Sequence, residues 1–305
     1  MRDRFSGAYV NYEALIFRGG RIYGESFTHD LYADHYRRPS RYVWFLVKNY
    51  LVRNTVDVPS GIWLADNFTP HNYFHWCTES LPRLVMAEDL WPDERVLLLP
   101  SYYRADAYIP MTLRAFPRVR QIGWVGARAK ARVERLGFVP HPRPNNIFVP
   151  ELLEAVAARI GELTEPAELE RVYFSRERAS RRGARNEREV QRVLRGNGFE
   201  VVVNDPAHPE QQIRVSRGAR VIAGVHGADL TNLMFMAPGG HVLEFRHGHE
   251  EVFVDCYRPL ARAVGHRYLA QICTPVNDVP GRDVNHEDLV VDLDLLRENL
   301  RALDR

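Results

Sequence analysis

Two imidazoles and a carboxylate recur every four residues in HNYFHWCTESLPRL, residues 71–84: His71, His75 and Glu79. On an α-helix that spacing sets all three on one face. Three chemistries fit. A His-x3-His-x3-Glu set can ligate zinc, although it is not the HExxH arrangement and no neighbour in sequence supplies the outer partner that orients a metal-bound imidazole. A His75–Glu79 pair can take a proton from a substrate hydroxyl, one group acting as base while the other orients it. Alternatively, His75 and Trp76 pack beneath a sheet and Glu79 caps or faces water.

A second group lies in RVYFSRERASRRGARNEREV, residues 171–190, where Arg176 follows an apolar run and Arg185 precedes a capping signal. Two guanidiniums at the edge of a parallel sheet suit a diphosphate, because each presents a planar fork of donors to its oxygens. Arg178, Arg181 and Arg182 surround them, so a solvated basic loop is the competing reading. The third group is ARVIAGVHGADLTNLMFMAPGGHVLEF, residues 219–245, which reads as strand, glycine turn, helix, turn and strand. Gly227 lets backbone approach a ligand, and the N–H groups opening the helix at Ala228 favour an anion. An ordinary tight turn needs the same glycine. Asp292 and Asp294 look like a metal-binding acidic pair, but Asp292 closes a short strand and Asp294 is placed to cap the last helix. His247, Gly248 and His249 have no third ligand in reach.

The elements that must position these groups alternate. Residues 1 to about 60 carry short aromatic and β-branched runs that suggest small antiparallel strands. From Gly61 come GIWLAD as strand, His71 to Asp89 as helix, RVLLLP as strand, Tyr108 to Phe116 as helix, and QIGWVG as strand; HPRPNN at 141–146 is a connector and Glu151 to Leu163 a helix. A second alternation runs from RVYFS through helices starting at Glu187, Pro209 and Ala228 to HVLEF, a helix from Glu251, YLAQI and a terminal helix over Asp294 to Leu303. Asn186 and Glu189 have capping-box spacing, and Gly196 to Gly198 stop that helix. The pattern predicts an α/β fold of two Rossmann-like doubly wound domains facing a cleft, divided as 1–165 and 166–305.

Composition narrows the function classes. The formal net charge of +2 excludes polyelectrolyte attraction to nucleic acid. The cations are nearly all arginine, with lysine only at positions 48 and 130. Cys77, Cys256 and Cys273 form no CxxC pair, which suggests a reducing compartment. No stretch approaches the ~20 apolar residues of a membrane span, and MRDRFSGAYV has no signal-peptide core, so a cytoplasmic protein is expected.

With these segments in view, the chain resembles glycosyltransferase family 61, a group of capsule and surface-polysaccharide enzymes, xylan transferases and N-acetylglucosaminyltransferases. HNYFHWCTESLPRL, SRERASRRGARNE, PEQQI and VIAGVHGADLTNLMFMAPGGHVLEF carry the resemblance, in order over roughly 70–250. It implies a GT-B architecture, inversion at the anomeric carbon, and a nucleotide-sugar donor, UDP-linked, with no further cofactor and no metal. It places Arg176 and Arg185, with the adjacent Asn186, at the diphosphate. His226, Gly227, Ala228, Thr231 and Asn232 fall beside it, Glu244 near the nucleoside, and His75 and Glu79 toward a glycan or glycoconjugate acceptor. No membrane anchor like that of many relatives is expected, and peripheral association with the inner face of a membrane stays open, as does the acceptor. Two other classes remain: a noncatalytic nucleotide- or glycan-binding module, and a zinc hydrolase using His71, His75 and Glu79.

Overall fold

Three short antiparallel strands open the chain, β1 (Ala8–Asn11), β2 (Ile16–Arg18) and β3 (Arg21–Ile22), in register Tyr9 to Phe17 and Phe17 to Ile22. The structure, a computed structural model, describes residues 5–66, 71–141, 147–179, 181–247, 255–276 and 287–303. After β3 the expectation of further strands fails. The chain forms α1 (Asp30–Arg37) and α2 (Pro39–Val47), then a π-helical turn at Lys48–Val52. Local chemistry accounts for both helices. The His29 side chain accepts a hydrogen bond from the Leu31 N–H at the start of α1, and Pro39 supplies a preset φ at the start of α2.

The rest of the first unit, Met1–Ile147, alternates as predicted: β4 (Asn54–Trp63), α3 (Tyr73–His75) continuing through a π turn (Trp76–Ser80) into α4 (Leu81–Leu90), β5 (Val96–Pro100), α5 (Tyr108–Leu113) and β6 (Gln121–Val125). One strand escaped the sequence reading, β7 (Ala129–Phe138). Its alternation of Ala131 and Val133 with Arg132 and Glu134 is a period-2 signal hidden by charge. It joins the two parts of the sheet, whose order is β3-β2-β1-β7-β4-β5-β6: β1 pairs with it antiparallel, while β4 pairs with it parallel.

The second unit, Phe148–Arg305, contains α6 (Pro150–Gly161), β8 (Arg171–Ser175), α7 (Glu187–Arg195), β9 (Glu200–Val203), α8 (Pro209–Gly218), β10 (Val221–Val225), β11 (His241–His247), α9 (Tyr257–Ala263), β12 (Arg267–Pro275), β13 (Leu289–Val290) and α10 (Leu293–Leu303). Strands β9-β8-β10-β11-β12 are parallel, with β13 added antiparallel at the edge. That is the doubly wound order whose switch point lies between its first and third strands, here β8 and β10. The fold is therefore α/β, with parallel strands at the centre of each sheet.

Between β10 and β11 the expected α-helix is a 3-10 helix, Ala228–Phe235. Leu230 through Phe235 are all buried, and the segment packs against α6, α8, α9 and β10. The three-residue repeat stacks Leu230 on Leu233 and Thr231 on Met234, a tighter fit than an α-helix offers to walls on every side. The Asn186–Glu189 capping box is also absent: Asn186 makes no side-chain cap bond to α7. At the last helix the cap is Asp292 instead of Asp294, since its Oδ1 accepts from the N–H groups of Asp294 and Leu295 at 2.9 and 3.1 Å. Residues 142–146 of the connector expected at 141–146 lie outside the described residues, as do Gly248, His249 and the start of the helix expected from Glu251.

Close backbone approach gives one direct test of the packing. A Cβ on Gly218, where α8 ends, would sit 1.9 Å from the carbonyl oxygen of Ala167. Backbone cannot swing aside as a side chain can, so Gly218→Ala is expected to destabilise the protein by about 1–3 kcal/mol. Urea unfolding measures this, and a loss under about 0.5 kcal/mol would contradict the contact.

Candidate functional site

Each unit gathers polar groups at the carboxyl edge of its own sheet. In the first, the helix begins at Tyr73 with Asn72 as its cap, and the Asn72 Oδ1 accepts from the His75 N–H at 3.4 Å. His71 precedes the helix with φ 56°, and its Nδ1 meets Asp106 Oδ1 at 3.0 Å. The four-residue spacing therefore does not place His71 with the other two, and the zinc reading loses its third ligand. Among the described residues no group of three His, Cys, Asp or Glu side chains is arranged to hold a metal ion.

His75 and Glu79 do meet. The His75 Nδ1 lies 2.8 Å from Glu79 Oε2, and a residue absent from the sequence-based set, His141, brings its Nε2 to 2.5 Å from the same oxygen. Arg83, one turn beyond Glu79, bonds the Leu64 and Val139 carbonyls just past β4 and β7 and forms a buried pair with Asp66. It thereby ties the helix to the ends of the two strands flanking this sheet's switch point, where α/β folds bind ligands. His141 follows β7 by three residues. The unread strand is why it was missed.

The electrostatics assign roles within the cluster. Burial raises the pKa of Glu79, but the hydrogen bonds and charges of His141 and His75 outweigh it and hold the carboxyl down to about 2. An ionised carboxylate only accepts hydrogen bonds, so the His75 Nδ1 donates to Glu79 and its Nε2 is the ring nitrogen left for another partner. The side chain of His75 is 19 % exposed, against 3 % for Glu79 and 2 % for His141. His75 is the most accessible of the three, and Glu79 Oε2 holds its ring through Nδ1.

This shift has a stability consequence. A folded pKa below the ordinary 4.5 means that ionised Glu79 stabilises the fold above that pH. The contribution is lost as pH falls from about 4.5 toward 2. Glu79→Gln should therefore be less stable than the parent protein at neutral pH, with the gap narrowing across this window in denaturant titrations. A gap independent of pH would contradict the ionised assignment.

In the second unit, Arg176 lies one residue beyond β8 and Gly227 two beyond β10, so both stand at the switch point. Arg176 Nε and Nη2 donate to the carbonyls of Arg182 and Arg181 at 3.1 and 3.2 Å, and Nη1 lies 3.4 Å from Asp229 Oδ2. A Cβ on Gly227 would come within 2.2 Å of Arg176 Nη1, so the guanidinium rests on the glycine backbone. Tyr257 fixes that backbone by donating its hydroxyl to the Gly227 carbonyl at 2.6 Å. Glu187 secures the end of β8, accepting from Tyr173 and Ser175 at 2.8 and 2.5 Å.

Arg182 is a second cation that sequence reading assigned to a solvated loop. Burial lowers its pKa, and the neighbouring charge of Arg176 lowers it further. Its Nε is buried without a hydrogen-bond partner. A guanidinium with an unused buried donor, under the influence of a second cation, is a group that can bind an anion. The only early signal was the cluster of arginines itself.

The remaining predicted residues take other places. Arg185 is exposed, with its backbone N–H bonded to the Leu289 carbonyl at 2.8 Å. Asn186 uses both ends of its amide on the main chain of Val291, at 2.8 and 3.0 Å. Thr231 and Asn232 are fully buried, and Asn232 reaches Gln212 at 3.0 Å, tying the 3-10 helix to α8. Ala228 opens that helix, half-buried. Glu244 is buried, bonded to the His226 Nδ1 and to the Tyr268 hydroxyl. It fixes the His226 ring, which packs against Tyr257 at 5.2 Å between centroids.

His75, Glu79, His141, Arg176, Arg182 and Gly227 fall within one matched span. A family model described as Glycosyltransferase 61 matches residues 73–243, from the start of the helix bearing His75 to the residue before Glu244. No curated protein matches the chain.

Proposed function

Since the chain belongs to glycosyltransferase family 61, we propose that it moves a sugar from a nucleotide-sugar, UDP-linked, to a hydroxyl of a glycan or glycoconjugate, with inversion, in surface-polysaccharide synthesis. The observation that carries this reading is the Arg176 guanidinium seated on Gly227 at a switch point, with Arg182 beside it. That arrangement offers fixed donors to a diphosphate. As the bond from the anomeric carbon to the diphosphate oxygen breaks, charge builds on that oxygen, and donors already in place stabilise it without reorganisation.

On the acceptor side, the His75 Nε2 takes the hydroxyl proton as the oxygen attacks the anomeric carbon. Glu79 holds the ring and stabilises the imidazolium that forms, with His141 fixing the carboxylate from the other side. Direct transfer requires donor and acceptor to meet in one cleft, and a GT-B-like arrangement is part of the proposal, as is action at the cytoplasmic face of a membrane.

Arginines in place of a divalent cation lead to an expected result. With the donor and an acceptor glycan, a chelator should leave most of the turnover intact, because no essential charge is removed. Complete loss restored by manganese would sink the arginine account. Turnover of mass-tagged donor also separates an enzyme from a noncatalytic binder.

A further inference from the structure

The α1–α2 region before the family-matched span turns one face inward and leaves the other without an intramolecular use. Phe45 packs with Leu15, Phe17 and Phe27 in a core of its own. On the opposite side Trp44 is 55 % exposed, Val52 64 % and Leu51 80 %. Tyr42 and Tyr50 are anchored by their hydroxyls to the backbone of Gly20, at 2.8 Å each, and remain 36 % and 41 % exposed. No helix among the described residues is long and apolar enough to cross a membrane. So large a run of exposed apolar side chains marks a surface that something covers.

Charge selects the occupant. Residues 38–53 contain Arg38, Arg41, Lys48 and Arg53 and no carboxylate. Lys48 and Arg53 are held by Glu13. Arg38 and Arg41 are exposed beside Trp44, and no described carboxylate pairs with them. A two-fold contact between copies would set these cations against each other, which costs affinity. Exposed aliphatic tips, half-exposed aromatic rings and exposed arginines match the interface of an anionic bilayer, where apolar tips enter the acyl boundary and cations meet phosphate headgroups. We infer that the Tyr42–Val52 face docks this protein on an anionic lipid surface. It also borders a cleft of about 840 Å³ that Tyr36, Tyr42 and His141 line, so a docked molecule keeps the mouth of that cleft at the lipid.

Co-sedimentation of the full chain with vesicles tests the inference. Binding is expected to phosphatidylcholine vesicles containing about one-third phosphatidylglycerol, and to fall sharply on pure phosphatidylcholine or at high salt. Trp44→Ser with Leu51→Ser should lower partitioning at least ~10-fold, as should Arg38→Gln with Arg41→Gln, both with unchanged circular dichroism and melting temperature. These positions are exposed, so the variants should fold. Absence of binding by the parent protein, equal binding by either variant, or a parent dimer that the double serine variant dissociates would each overturn it. The outcome is independent of whether the protein transfers sugar.

Discussion

His75→Ala is expected to lower turnover by about 100-fold or more while leaving nucleotide affinity nearly unchanged, the scale of losing a general base. The expectation follows from the division of labour around Glu79. A carboxyl held at about 2 is too weak a base to remove a hydroxyl proton near neutral pH, whereas the imidazole it orients is reachable from solvent. Added imidazole should restore part of the activity of His75→Ala by occupying the vacated space. Glu79→Ala should also be impaired, because the ring loses the acceptor that fixes its tautomer, but added imidazole should help it little. If His75→Ala keeps full turnover while Glu79→Ala loses it with donor binding intact, the carboxylate is the base and the assignment is wrong.

Gly227→Ala and Arg176→Ala should behave as the same lesion. Gly227 has φ 172°, extended backbone that any residue adopts, so alanine brings no backbone strain there. Its cost is steric: the methyl would occupy the place of Arg176 Nη1. The guanidinium is pushed off its seat, and the diphosphate loses a fixed donor in both the ground state and the transition state. Each single variant should lose about 10²-fold or more in kcat/KM, with donor binding weakened as well. Combined, they should cost little more than either alone, since displacing Arg176 and deleting it remove one interaction. Fully additive losses would show that Gly227 acts independently of Arg176.

Period and punctuation made much of this arrangement readable. The apolar runs VYFS, VIAG and VLEF became β8, β10 and β11, and the turns after β8 and β10 that the sequence singled out lie at that sheet's switch point. Family motifs led to His75, Glu79, Arg176 and Gly227. What stayed hidden depends on contacts distant in sequence. His141 reaches Glu79 across 62 positions, just past a strand whose alternation was obscured by arginine and glutamate. Arg182 was one cation among several until burial beside Arg176 distinguished it. In the opposite direction, Asn186 satisfied a local capping rule, yet its amide is used by Val291, 105 positions away. Local spacing predicted His71 as a partner because it assumed an unbroken helix, and the helix starts two residues later.

The central claim is that the switch point carrying Arg176 and Gly227 holds the donor diphosphate while His75 acts on the acceptor. Calorimetric titration of UDP into the parent protein, Arg176→Ala and His75→Ala tests it most directly, with thermal unfolding run alongside. The parent and His75→Ala should bind with similar affinity and gain about 2.7 kcal/mol of stability at a hundredfold excess of UDP over the dissociation constant. Arg176→Ala should be folded and bind at least ~10-fold more weakly. Equal binding by Arg176→Ala, or no binding of UDP by folded parent protein, would contradict the account.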